Sequence, residues 1–175
     1  MSARPFTEQE YTTLLAYFTA KKMTRNRALL VASCGRGYRI TEWLSVTVGQ
    51  VWSGTEVLRE LIIARRNLKG GHGAYKRSVK NRRVPLSETV RTAIADPLKT
   101  IGVDGPTRPL FSTARKNAGG MERTQAFRML AAACEACGID TSRASTHTLR
   151  KTFARRVYEA SGGGPDRYDG APPQF

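Results

Sequence analysis

Thr146-His147-Thr148-Leu149-Arg150-Lys151-Thr152-Phe153-Ala154 places a histidine three residues before an arginine at the head of a helical run from Ser145 to Ala160. On a helix, residues i and i+3 project from nearly the same face, so His147 and Arg150 present two polar groups side by side. The stretch Arg143 to Arg156 contains no acid and carries Arg143, Arg150, Lys151, Arg155 and Arg156. A second acid-free stretch lies upstream, where Arg65, Arg66, Lys69, Lys76, Arg77, Lys80, Arg82 and Arg83 crowd into one polar, glycine-rich segment. Across all 175 residues, 29 Lys and Arg face 14 Asp and Glu, a formal charge of +15. That excess calls for a polyanionic partner, and its concentration in two segments exceeds what solubility needs.

On either side of these stretches the elements alternate in texture. Thr7 with Glu10 reads as a capping box opening a helix whose face is Tyr11, Leu14, Leu15 and Phe18. A second helix covers Asn26 to Ala32, stops at Gly35 and Gly37, and restarts near Ile40. From Val46 the pattern reads as strand: Val48, Val51 and Trp52, a turn at Ser53-Gly54, then Val57 to Ile63, and a third strand from Arg82 to Leu86. Helices follow from Ser87 through Leu98 and from Arg123 to Cys137, the latter with Phe127, Leu130 and Ala131 inward. The expected architecture is one α+β domain over residues 1–160, mostly helical with a small three-stranded antiparallel sheet. Residues 161–175, with three consecutive glycines and three prolines, read as a loosely ordered tail.

Several classes are set aside by the composition. No run of about 18 apolar residues is available to span a bilayer, and the opening MSARPFTEQEY has no secretion signal, which points to the cytoplasm. Cys134 and Cys137 form one C-x-x-C, but His72 and His147 stand at no ligand spacing from it. A buried pair on a helix is expected there, with no metal and no cofactor. The carboxylates Glu42, Glu88, Asp104, Glu122 and Asp140 are scattered, unlike those of a metal-dependent nuclease.

Three separated segments carry a family resemblance. Gly37-Tyr38-Arg39-Ile40-Thr41-Glu42-Trp43-Leu44 resembles the G-x-R-x-[ST]-E-x-L segment of tyrosine recombinases, the phage integrase family. The stretch from Thr146 to Ala154 resembles that family's H-x-L-R-H-T-F-A, with Lys151 where His is common. Lys69 with Arg82-Arg83-Val84-Pro85-Leu86 is similar to its lysine-bearing hairpin and R-x-V-P-L strand. The resemblance runs from about Phe6 to Ala160, and implies a bacterial or phage setting and double-stranded DNA as partner. The oligomeric state stays open, with a homo-oligomer on DNA among the states implied.

The chemistry explains those residue types. Breaking a phosphodiester gathers negative charge on the non-bridging oxygens, and fixed positive charge stabilises it. Arg39 and Arg150 are the expected clamp, because a guanidinium is permanently charged and its planar fork matches phosphate oxygens. The resemblance implies that Lys69, with Lys80 as alternative, protonates the departing 5′ oxygen, and that His147 bonds the phosphate or handles a proton. Arg65, Arg66, Lys76, Arg77, Lys80, Arg82 and Lys151 are the expected DNA contacts. Glu42, one turn beyond Arg39, is expected to hold a neighbouring basic group. Family members continue into further helices that carry the tyrosine nucleophile, and usually begin with a separate DNA-clamping domain. Neither Tyr158 nor Tyr168 fits the nucleophile's setting, so this chain is expected to be inactive alone. A basic nucleic-acid-binding module without catalysis is the alternative reading.

Overall fold

The computed structural model describes residues 3–68, 80–103, 105–112 and 119–162. Within them lie helices α1 (Glu8–Ala20), α2 (Thr24–Arg36), α3 (Ile40–Leu44) and α4 (Val48–Val51), then strands β1 (Glu60–Ile63) and β2 (Arg82–Pro85). Helices α5 (Glu88–Ile101), α6 (Arg123–Ala136) and α7 (Thr146–Ala160) complete the order, and a 3-10 turn, Arg65–Asn67, follows β1.

Helix α2 is the hub. Every residue from Ala28 to Arg36 is buried, so this helix has no solvent face over two turns, and α1, α3, α5 and α7 pack around it. Its all-round apolar sequence, Ala-Leu-Leu-Val-Ala, is what a central helix requires. Helix α1 opens with the expected capping box: the Glu10 amide donates to Thr7 Oγ1 at 3.1 Å and the Thr7 amide to Glu10 Oε2 at 2.8 Å. Tyr11, Leu14 and Phe18 are the face it buries, with Leu15 partly buried beside them.

The sheet has two strands, not three. Strands β1 and β2 pair antiparallel with Glu60 opposite Pro85 and Ile63 opposite Arg82, turning Leu61, Ile63 and Val84 into the core. The segment expected to be the first strand forms α4 instead. Gln50 Oε1 accepts from the Thr47 amide at 2.9 Å, which closes a helical first turn, and Trp52 keeps only an isolated bridge to Val57. The apolar positions Val48 and Val51 stand three apart, a helical spacing, and both stay buried. Here a local side-chain cap outweighs the β propensity of the valines.

Helix α6 also departs from expectation. Phe127 is 45% exposed, and the inward face is Ala126, Leu130, Ala133 and Cys134, with Ala131 only half-buried. Small residues let α6 lie close to α1, α3 and α7, which leaves the bulky ring outside. Of the cysteine pair, Cys134 is buried and Cys137, at the helix end, is half-buried; both thiols are free. Burial pushes the Cys134 thiol up to about 11 and the Cys34 thiol up to about 12, so neither supplies thiolate near neutrality. Among the described residues no helix is long and apolar enough to cross a membrane. The tail read as loose lies, from residue 163 on, outside the described residues.

Candidate nucleic-acid interface and phosphate site

Two corners of the chain meet at the site. The first is the α2–α3 junction. Gly37 ends α2 with φ 56°, the left-handed value that favours glycine. A Cβ on Gly37 would lie 2.2 Å from Phe153 Cδ1 of α7, so the missing side chain is also what lets this corner seat on the second motif. Two residues on, Arg39 caps α3. The Glu42 side chain is buried to 1% exposure; its carboxylate accepts from the Arg39 amide at 2.8 Å and from Arg39 Nη1 at 3.3 Å. The neighbouring basic group that Glu42 holds is therefore Arg39 itself.

The second corner is the start of α7. Ser145 accepts from the His147 amide at 3.2 Å, and its own amide donates to Thr148 Oγ1 at 3.0 Å, so the helix is capped on both sides. The capped register turns Thr146, Thr148, Leu149 and Thr152 inward and leaves His147, Arg150, Lys151 and Ala154 exposed.

Arg39, His147 and Arg150 come together where these corners meet. They line a recess of about 90 Å³ that is completed by Ile40, Thr41, Thr146 and Arg123. The same three residues also line an adjoining recess of about 610 Å³, bounded by Ala3, Ser145, Lys151 and Ala154. Among the described residues no carboxylate lines either recess. Arg150 and Arg123 have no hydrogen-bond or ion-pair partner among the described residues, so their charge is uncompensated where an anion would sit.

The remaining sequence-derived candidates fall around this centre. Lys151 lines the larger recess and its Nζ donates to the Ala3 carbonyl at 2.7 Å. Arg82 lies on β2 with its guanidinium 5.5 Å from the Tyr38 ring, next in sequence to Arg39, while Tyr38 meets Trp43 edge-on. Arg65 and Arg66 sit exposed on the 3-10 turn, and the Arg65 amide donates to Asn81 Oδ1 at 2.9 Å, tying the two flanks of the hairpin together. Lys80 is exposed at the foot of β2. Lys69, Lys76 and Arg77 lie outside the described residues.

Sequence reasoning missed Arg123, the first residue of α6 and a lining residue of the smaller recess. It belongs to no motif, and the sole signal for it was a basic residue where a helix was expected to begin. Among the described residues no group of three His, Cys, Asp or Glu is placed to hold a metal ion.

The architecture is a helical domain built on a central helix, with a small two-stranded hairpin and a recess lined by Arg39, Arg123, His147 and Arg150. The profile of the phage integrase family matches residues 4–164, and the chain belongs to that family. Among solved structures the fold is similar to XerA recombinase, with a TM-score of 0.67 and 20% identity over 95% of this chain and 53% of that one. It is also similar to the Tn1549 transposon integrase in complex with transposon right end DNA, with a TM-score of 0.69 and 19% identity over 91% and 54% of the two chains. The lambda integrase catalytic core matches with a TM-score of 0.65 and 14% identity, over 92% of this chain and 86% of that one. The chain thus spans about half the length of the XerA and Tn1549 proteins. No curated protein matches it in sequence.

Proposed function

We propose that this chain is the phosphate-clamping part of a tyrosine-recombinase catalytic domain and that it binds double-stranded DNA across the face carrying Arg39, His147 and Arg150. The observation that carries the reading is the convergence of those three side chains, from two distant segments, on one acid-free recess. A DNA integrase or site-specific recombinase needs that arrangement, because the pentavalent phosphorus carries more negative charge than the diester it came from. Arg39 and Arg150 hold the non-bridging oxygens. Glu42 fixes the Arg39 guanidinium in advance, so less reorganisation remains when substrate arrives. His147 hydrogen-bonds the same phosphate. In the full reaction a tyrosine oxygen attacks phosphorus, the bond to the 5′ oxygen breaks, and a lysine of the hairpin, Lys69 or Lys80, returns a proton to that leaving oxygen. Arg65, Arg66, Lys76, Arg77, Lys80, Arg82 and Lys151 contact the backbone on either side, and position rather than read the duplex.

The chain alone binds without cleaving. Tyr11, Tyr17, Tyr38 and Tyr158 line neither recess. Tyr158 stands eight residues beyond Arg150 on the same helix, about 12 Å along its axis, and a phenol on a rigid helix does not cross that distance. A nicked suicide substrate tests this, since an active recombinase traps itself covalently when the short leaving strand diffuses away. We expect salt-dependent duplex binding and no adduct. An adduct abolished by Tyr168→Phe would overturn the inactive reading, and affinity independent of salt between roughly 50 and 200 mM would overturn the clamp.

A further inference from the structure

We propose that Arg123 is a further phosphate-contacting residue, bringing a third guanidinium from α6 onto the same anion that Arg39 and Arg150 clamp; the proposal rests on the clamp reading above. Three independent features of Arg123 point to it. The first is position. Helix α6 packs on both α3 and α7, the two elements that carry the clamp, so its first residue is held between the Arg39 corner and the His147–Arg150 face. Arg123 lines the smaller recess, which none of the described hairpin arginines lines.

The second feature is size: of the two recesses, the one of about 90 Å³ is the tighter, and it suits a compact anion such as a single phosphate group. The larger adjoining recess lacks Arg123. The third guanidinium therefore bears on the compact anion rather than on whatever fills the wider space.

The third feature is that Arg123 is unpaired among the described residues. Arg4, Arg91, Arg155 and Arg156 each pair with a carboxylate, whereas Arg123 has no partner among the described residues. Its placement also opposes the dipole of its own helix, because a cation in the first turn meets the positive end. An anion in the recess reverses both deficits. It faces Arg123 at the first residue of the helix, where a negative charge suits the positive end of the dipole.

The test uses the full chain and a random-sequence duplex, with affinity measured against salt for the parent and a set of arginine variants. Arg123→Gln should weaken binding by about tenfold at 100 mM salt and make the log–log slope shallower by about one unit, the signature of one lost phosphate contact. Arg128→Gln removes the same charge from the same helix but lies outside the recess, and should leave the slope unchanged. Arg150→Gln should make the slope shallower by itself. The double variant Arg123→Gln/Arg150→Gln should lose less than the product of the two single losses, because both groups share one anion. Thermal melting of each variant checks that the fold is intact, and Arg123→Lys should keep the slope because it keeps the charge. If Arg150→Gln changes the slope while Arg123→Gln behaves like Arg128→Gln, this inference fails and the clamp stands. A strictly multiplicative double variant overturns the shared anion. If neither Arg150→Gln nor Arg123→Gln moves the slope, the clamp itself is overturned and the role of Arg123 with it.

Discussion

Helix α7 carries two arginines with opposite fates, six residues apart. Arg156 is 7% exposed, gives Glu8 hydrogen bonds of 2.7 and 2.9 Å from Nη2, and lays its guanidinium 3.8 Å from the centre of the Tyr11 ring. Arg150 is exposed and has no partner among the described residues. Residue type, helix and near neighbours in sequence are shared. The difference lies in what the tertiary structure brings opposite: α1 supplies an acid and an aromatic face to one arginine, and the α2–α3 corner supplies a second arginine to the other. A paired arginine fastens the fold, while an unpaired, exposed one keeps its charge free, and on the proposed reading that charge meets the DNA phosphate.

The sharpest break of this contrast is to truncate each arginine in turn. Arg156→Ala should destabilise the protein by about 2 to 3 kcal/mol, from the lost ring contact, the lost bonds to Glu8 and the lost packing of the buried stem. Urea denaturation measures it, and the DNA affinity of the folded fraction should not change. Arg150→Ala should do the reverse, shifting stability by less than about 0.5 kcal/mol while DNA affinity falls. If Arg150→Ala proved the more destabilising of the two, the division between fastening and waiting arginines would collapse.

That division was only partly legible in the sequence. The two motifs named Arg39, His147 and Arg150 because chemistry restricts the residue types, and an acid-free run is visible without coordinates. Nothing in the run separates Arg150 from Arg156, however, since the separating acid, Glu8, lies 148 residues away. The same reason hid Arg123, whose place at the recess depends on where α6 lands. Among the elements, the α1 capping box was readable because Thr7 and Glu10 are three apart, and the hairpin strands because apolar and β-branched residues cluster in short runs bounded by turns. Segment 48–51 was misread because β-branched residues suit a strand, and the cap on Thr47 by Gln50 is a local hydrogen bond that propensity does not contain. Phe127 was misread because helical periodicity allowed either of two adjacent faces, and close packing by alanines decided between them.

The inner face of α7 offers a smaller effect that sharpens the same contrast. Thr152 belongs to the recognised motif, yet its side chain is buried and lines neither recess. Its hydroxyl donates to the Thr148 carbonyl at 2.8 Å and accepts from the Phe6 amide at 2.9 Å, so it fastens the segment before α1 to the helix. Thr152→Val keeps the shape and removes the acceptor, leaving the Phe6 amide unsatisfied in a buried position. The expected cost is about 1 to 2 kcal/mol, read as a lower denaturation midpoint, with the salt dependence of DNA binding unchanged. A changed salt slope would place Thr152 among the phosphate contacts and contradict the two-faced helix.

The smallest expected effect concerns a second fastening arginine, Arg4, and it appears as a pH dependence. Arg4 Nη2 meets Glu10 Oε1 at 2.6 Å and Nη1 meets Oε2 at 2.7 Å, while the Arg4 amide donates to the Arg143 carbonyl just ahead of α7. The hydrogen bonds from Arg4 hold the Glu10 carboxyl at about 2, down from its ordinary 4.5. Because the folded value is the lower one, the unfolded chain binds the proton more readily. The stabilisation is therefore complete above about pH 4.5 and is lost as the pH falls towards 2. The pair lies near the surface, where solvent screens it, so the loss amounts to about 1 kcal/mol. Glu10→Gln isolates that contribution, because glutamine also accepts from the Thr7 amide and preserves the capping box. The variant should be less stable than the parent at pH 6, and the two melting curves should converge between pH 4.5 and 2. A constant offset across that window would mean that packing or the cap, rather than the charge on Glu10, secures Arg4, and the fastening face would then owe nothing to its acids at this end of the helix.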